Sequence, residues 1–161
     1  MPAFEFPMRN DPEVESIRAL DLMTSPVVTL RDGARLSEVL ETILASGVAT
    51  LPVVSTDGTL IALVTEESVA KAEMLGLWSG RFTWSDITLS KRMTAAVFHF
   101  AEPATSVGPA ARLSEIVDQM LEKRLRSIPV VDGGNVIGMV GWREIFAALV
   151  RLHSNPPYST S

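Results

Sequence analysis

The chain has no cysteine among its 161 residues. That excludes a disulfide framework, a zinc–thiolate site and a cysteine nucleophile. Histidine is nearly as scarce, and neither His99 nor His153 has a second ligand-type side chain at metal-binding spacing, so no metal site is expected. There is no run of about 18 apolar residues, which argues against a membrane span. Met1 to Asn10 carries Glu5, Arg9 and two prolines where a signal peptide needs an apolar stretch, so the expected location is cytoplasmic. Positive charge is in deficit too: 14 Lys plus Arg against 19 Asp plus Glu leave a net charge of −5, the wrong sign for a nucleic-acid polymer binder. No Walker loop, GxGxxG or Ser-His-Asp arrangement is present. The acidic pair Glu66-Glu67 falls at an expected helix start, where the dipole favours it and nothing desolvates either carboxylate. No catalytic residues are therefore assigned, and an enzyme is not expected. What is present is 47% hydrophobic and 20% charged, the balance of a compact globular chain.

The chain carries an internal repeat. Leu36 to Val54 reads LSEVLETILASGVATLPVV and Leu113 to Val131 reads LSEIVDQMLEKRLRSIPVV, 77 residues apart, with seven of nineteen positions identical. After one deleted residue, Leu60 to Val64 matches Val136 to Val140. Met23-Thr24 recurs as Met93-Thr94 at a separation of 70, so the second copy holds seven extra residues, around Ala96 to Glu102.

Each copy shows the same order of elements. Val27 to Leu30 is β-branched and reads as a strand. Asp32-Gly33 reads as a turn, and Ser37 or Asp32 can cap the helix that follows. In that helix Leu36, Val39, Leu40, Ile43 and Leu44 form one expected apolar stripe, ended by Gly47. Leu51 to Val54 and Leu60 to Val64 read as strands joined by a Thr56-Asp57-Gly58 turn, and their lack of polar alternation predicts cover on both faces. A second helix is expected from Thr65 to about Leu75. The second copy gives a strand at Thr105 to Val107 and a helix at Leu113 to Lys123. Strands follow at Ile128 to Val131 and Val136 to Val140, with the turn Gly133-Gly134-Asn135 between them, and then a helix from Trp142 to Leu152. A β-α-β-β-α unit this small buries too little surface to stand alone comfortably. The expected fold is therefore α+β, two such repeats packed sheet to sheet with pseudo-twofold symmetry. The boundaries are 1–16 for an N-terminal segment, 17–75 for repeat 1, 76–90 for an aromatic connector, 91–152 for repeat 2 and 153–161 for a tail.

Leu22-Met23-Thr24, Leu51-Pro52-Val53-Val54, Asp57-Gly58 and Leu63-Val64-Thr65-x-x-Ser68-Val69 together resemble the cystathionine-β-synthase (CBS) domain. The second copy supplies Arg92-Met93-Thr94, Ile128-Pro129-Val130-Val131 and Gly138-Met139-Val140-x-x-x-Glu144-Ile145. Two ordered copies resemble a CBS pair, or Bateman module, from Leu20 to Leu149. The resemblance implies a regulatory sensor that binds AMP, ADP, ATP, S-adenosylmethionine or a related adenosyl ligand in a cleft between the repeats. It also implies a homodimer and a separate effector, an enzyme or a transporter.

The family places a Thr or Ser at the start of the second helix, to meet phosphate, and an Asp three residues on, to meet the ribose hydroxyls. Here those positions hold Thr65 and Ser68 in the first copy, Gly141 and Glu144 in the second. Ser68 offers one uncharged oxygen where the family has a carboxylate; Gly141 lacks the hydroxyl but admits close backbone approach. Arg126 stands where family members often carry a base that meets phosphate, and its first-copy counterpart is Ala49. Val27, Val28, Leu51, Pro52, Val53, Ile128, Pro129 and Val130 are the expected apolar walls for an adenine. The alternative reading is a ligand-free dimerisation and protein-interaction module, presenting Ala96 to Glu102 and the Trp78 to Trp84 connector as docking surfaces.

Overall fold

A computed structural model describes residues 11–71, 96–97 and 100–154. They divide between two compact units. One gathers residues 28–71, 96–97 and 100–105 with 134–136, and the other gathers 11–27, 106–133 and 137–154. The connector Trp78 to Trp84 and His99 lie outside the described residues.

The first unit contains a four-stranded sheet in the order β1-β2-β3-β4. β1 (Leu30–Arg31) runs parallel to β2 (Thr50–Val54), which pairs antiparallel with β3 (Leu60–Thr65), and β3 pairs antiparallel with β4 (Glu102–Pro103). Helix α3 (Leu36–Ser46) lies between β1 and β2 in sequence, and residues 66–71 form helix α4 directly after β3. The expected strand over Val27 to Leu30 survives only at Leu30–Arg31, because Val27 to Thr29 find no ladder partner; β-branched composition does not make a strand without one. Neither Ser37 nor Asp32 caps α3. The cap position is Arg35, which leaves Ser37 inside the first turn and Asp32 in the preceding turn. Gly47 does end the helix, at φ 67°, its N–H donating to the Ile43 carbonyl at 2.9 Å. In the β2–β3 hairpin, hydrogen bonds from Ser55, then Thr59, hold the Asp57 carboxyl below its usual pKa, and Gly58 takes φ 86°.

Alternation along the hairpin fixes which side chains enter the core. Leu51, Val53, Ala62 and Val64 share one face and pack with Leu30, Leu36, Val39 and Val69. Leu40 and Ile43 pack against that cluster. Leu44, expected in the same stripe, is 84% exposed instead: it lies a quarter-turn round the helix from the stripe's centre. The extra segment of the second copy, expected as a docking surface, gives two of its described residues to the core of this unit. Val97 and Phe100 are buried in the same cluster, and Glu102–Pro103 closes the sheet edge against Ala62 and Leu63.

The second unit holds short helices α1 (Pro12–Ser16) and α2 (Ala19–Leu22), helix α5 (Leu113–Glu122), strand β5 (Ser127–Asp132), strand β6 (Asn135–Gly141) from Ile137 onward, and helix α6 (Trp142–Ser154). The strand expected at Thr105 to Val107 is a single parallel bridge, Val107 to Val130. Thr24 bridges Met139 on β6, with Thr24 N–H to Met139 carbonyl at 2.9 Å and the return bond at 3.1 Å. The Met23 side chain lies so close over Gly138 that a Cβ there would stand 2.5 Å from its Sδ, so any larger residue would force Met23 to shift. No helix among the described residues is long and apolar enough to cross a membrane.

Candidate functional site

Both copies join the start of a strand to the start of the following helix in the same way. In the first, the Glu66 N–H donates to the Ala49 carbonyl at 3.3 Å; in the second, the Trp142 N–H donates to the Arg126 carbonyl at 3.4 Å. Each bond satisfies one of the helix's free N–H groups with the carbonyl just before the strand. It therefore sets a strand-start side chain next to a helix-start side chain.

In the first copy that corner holds Thr50, Thr65 and Ser68. Thr65 and Ser68 cap α4 reciprocally. The Thr65 N–H donates to Ser68 Oγ at 2.9 Å and the Ser68 N–H donates to Thr65 Oγ1 at 2.9 Å. Ser68 Oγ then donates its own proton to the Thr65 carbonyl, also at 2.9 Å. Ser68 is buried, and its hydroxyl both accepts and donates inside the turn, so it has little left for a ribose. Thr65 Oγ1 only accepts in these bonds, which leaves its proton for an outside acceptor.

Thr50 stands opposite Thr65 in the β2–β3 ladder, is 1% exposed, and its hydroxyl has no hydrogen-bond partner. A buried hydroxyl in that state costs about 1–3 kcal/mol relative to a paired one. The sequence reading missed Thr50. The signal was available, since its counterpart 77 residues on is Ser127, again a hydroxyl at the start of the strand.

The second copy brings Arg126, Ser127, Gly141 and Glu144 to the equivalent corner. Glu144 reaches back to cap α6, its Oε2 accepting the Gly141 N–H at 3.0 Å. A Cβ on Gly141 would lie 2.9 Å from that oxygen, 3.4 Å from the Arg126 carbonyl and 3.5 Å from Ser127 Cβ. Glycine therefore gives the carboxylate room to fold back, and its second oxygen, Oε1, remains an unused acceptor. The Arg126 side chain is exposed.

Strand alternation sorts the remaining expected site residues. Pro52 shares the Thr50 and Thr65 face, whereas Leu51 and Val53 point into the core on the other side and are fully buried there. Pro129 is buried, and Ile128 and Val130 are both completely enclosed. Val28 is 40% exposed and lies outside any strand.

A family model described as the CBS domain matches residues 17–75 and 96–151. An uncharacterised protein of Methanocaldococcus jannaschii is 26% identical over 120 residues, covering 74% of this chain and 38% of that protein. A homoserine O-acetyltransferase of Methanosalsum zhilinae is 26% identical over 133 residues, covering 82% of this chain and 24% of the enzyme. The chain thus spans well under half the length of these curated relatives. Among solved structures, a putative acetoin utilization protein from Vibrio cholerae matches with a TM-score of 0.70 and 20% identity, over 90% of this chain and 98% of that one. A protein called CBSX2, in complex with AMP, matches at 0.66 and 21%, over 84% and 98%. A CBS domain pair in complex with 5′-methylthioadenosine and S-adenosyl-L-methionine matches at 0.66 and 17%, over 84% and 97%. Two matched repeats, each with its strand start stapled to its helix start, lead to one assignment: the chain belongs to the CBS domain family and carries two copies of that domain.

Proposed function

We propose that this chain is a regulatory module that binds an adenine nucleotide or a related adenosyl ligand at its strand-start corners and signals to a separate effector protein. The buried, unpaired Thr50 hydroxyl carries the reading, because a ligand that hydrogen-bonds it removes a cost the empty site bears. The two corners offer complementary chemistry. Thr50 and Thr65 supply hydroxyl donors suited to ring nitrogens or phosphate oxygens. Glu144 Oε1 supplies a charged acceptor for ribose hydroxyls, and Arg126 supplies a cation for phosphate. Pro52 and Pro129 are the apolar surfaces on these strands for an adenine face. Relatives of the same fold in complex with AMP, and with S-adenosyl-L-methionine and 5′-methylthioadenosine, support this ligand class.

Calorimetry and thermal shift with AMP, ADP, ATP and S-adenosylmethionine test it. A ligand at 100 times its dissociation constant stabilises by about 2.7 kcal/mol. The expected result is a clear shift with at least one of them, weakened about tenfold or more by Thr50→Val and by Glu144→Gln. No shift with any member of the panel overturns the reading.

A further inference from the structure

Asp-Gly occurs three times in the chain, at Asp32-Gly33, Asp57-Gly58 and Asp132-Gly133, each time in or beside a turn. This dipeptide carries a latent reaction. The glycine amide nitrogen can attack the aspartate carboxyl carbon, because glycine has no side chain to block the approach. A new N–C bond closes a five-membered succinimide, the amide proton is lost, and the carboxyl oxygen leaves as water. Water then reopens the ring at either carbonyl. One opening restores aspartate. The other gives isoaspartate, in which the main chain runs through the side-chain carbon and the former backbone carbonyl becomes a free carboxylate. One water leaves and one returns, so no other reactant is needed.

The three places differ in how they hold the two reacting groups. At Asp57-Gly58 both are engaged. The Gly58 N–H donates to the Ser55 carbonyl at 3.0 Å, and Asp57 Oδ1 accepts from Ser55 Oγ and from the Thr59 N–H. Those bonds also favour the ionised carboxylate, the form that resists attack. At Asp132-Gly133 the aspartate is the last residue of β5, and the strand holds its main chain. At Asp32-Gly33 neither group is held. Both residues are exposed, and the Asp32 carboxyl makes no hydrogen bond or ion pair among the described residues. The Gly33 N–H is the inner amide of a turn that Ala34 closes, its N–H donating to the Arg31 carbonyl at 3.0 Å.

The second copy makes the same turn without this dipeptide. There the Ala111 N–H donates to the Gly108 carbonyl at 3.1 Å, and the inner residues are Pro109 and Ala110, which have no carboxyl to react. The turn therefore does not depend on Asp-Gly, and the liability belongs to the first copy alone.

We infer that Asp32-Gly33 is a modification site, where isoaspartate forms in preference to the other two Asp-Gly pairs and makes the chain a substrate for a methyl-transferring repair enzyme that recognises isoaspartyl carboxylates. In that repair the new carboxylate oxygen takes the methyl carbon of S-adenosylmethionine as its bond to sulfur breaks. The modification also inserts a methylene into the β1–α3 connection. On one side of it the Asp32 N–H donates to the Val54 carbonyl at 3.1 Å, and on the other Ala34 is buried in the core of the first unit. This inference stands apart from the ligand reading, because neither residue belongs to a strand-start corner and both readouts are covalent.

The full chain is incubated for several weeks at neutral pH and body temperature and then digested, and isoaspartate is located by electron-transfer fragmentation of the peptides. In parallel, undigested chain is treated with an isoaspartyl methyltransferase and methyl-labelled S-adenosylmethionine, and ester label is counted on precipitated protein so that noncovalently bound donor is not scored. Isoaspartate at position 32 should exceed that at 57 and at 132 several-fold, and the ester label should grow with incubation time. Gly33→Ala should remove most of both signals. A Cβ at that position meets nothing within 4 Å and Gly33 is not left-handed, so the variant should keep the circular dichroism spectrum of the unchanged chain. Intact aspartate at 32 after incubation overturns the inference, as does more isoaspartate at 57 or 132 than at 32. A Gly33→Ala chain that ages as fast as the unchanged one overturns it too, and so does isoaspartate at 32 that takes up no methyl label.

Discussion

The two copies solve one local problem with different chemistry. Each must cap a helix that begins directly at the end of a strand, and each uses the residue three positions on to do it. The first copy closes the turn with two neutral hydroxyls, Thr65 and Ser68, and spends nearly all of their hydrogen-bonding capacity in the process. The second uses a glycine and a carboxylate, Gly141 and Glu144, and spends one of two carboxylate oxygens. Both caps satisfy the N–H at the end of the strand, but only the first also returns a bond to the residue three positions on, and what remains for a ligand differs. The first corner is left with donors, the second with an acceptor. Divergence at two positions has thus turned a duplicated structural device into a pair of chemically distinct corners.

The largest expected effect on stability lies where the copies differ in backbone clearance. The first copy has Ala62 where the second has Gly138. Ala62 is buried opposite Pro103, whereas a Cβ at 138 would meet the Met23 side chain at 2.5 to 2.8 Å. Gly138→Ala should therefore destabilise by about 1–3 kcal/mol, read as a lower urea midpoint. Combined with Met23→Gly it should cost less than the two single changes added together, since the clash is then absent. Purely additive losses would break the contrast between the two positions.

Next in size is the ligand corner. Thr50→Val removes an unpaired hydroxyl without changing volume much, so the empty chain should gain about 1 kcal/mol, seen as a melting temperature some 2–4 °C higher. The same variant should bind adenylate more weakly, which separates a ligand-directed hydroxyl from a merely unsatisfied one. Ser68→Asp sharpens the comparison from the other side. An aspartate can keep the Thr65 N–H bond with one oxygen and offer the second to a ribose, as Glu144 does. Calorimetry should show adenylate affinity rising several-fold, and no gain would mean that the first corner does not face a ribose.

Much of this was legible in the sequence because it is local or periodic. The 77-residue repeat, the Asp57-Gly58 and Gly133-Gly134 turns, the Gly47 helix stop and the unalternating strands all depend on neighbours a few positions away. The readings that needed correction depend on tertiary partners. Val27 to Thr29 have strand composition but no strand beside them, and Leu44 fits a helical stripe that the core does not reach. Val97 and Phe100 read as an insertion because nothing in their spacing says that they complete the core of the first unit. Leu51 and Val53 were assigned to an adenine wall because composition cannot say which face of a strand the helices cover. Thr50 escaped for the same reason: its significance rests on the partner it lacks.

The smallest effect concerns how the first helix of each copy ends. Gly47 and Arg124 are 77 residues apart and both adopt the left-handed conformation, at φ 67° and φ 54°. Glycine does so without penalty, whereas an L-residue with a Cβ pays about 1–2 kcal/mol. Arg124→Gly relieves that strain but frees the unfolded chain, which offsets part of the gain, so a net stabilisation of about 0.5–1 kcal/mol is expected. Gly47→Ala should cost about 1 kcal/mol for the mirror-image reason. Both are measured as urea midpoints on otherwise unchanged chains. If Arg124→Gly gives no gain while Gly47→Ala still costs, the arginine side chain makes a compensating interaction in the folded state. The contrast at the helix ends would then be one of side-chain contacts as well as strain.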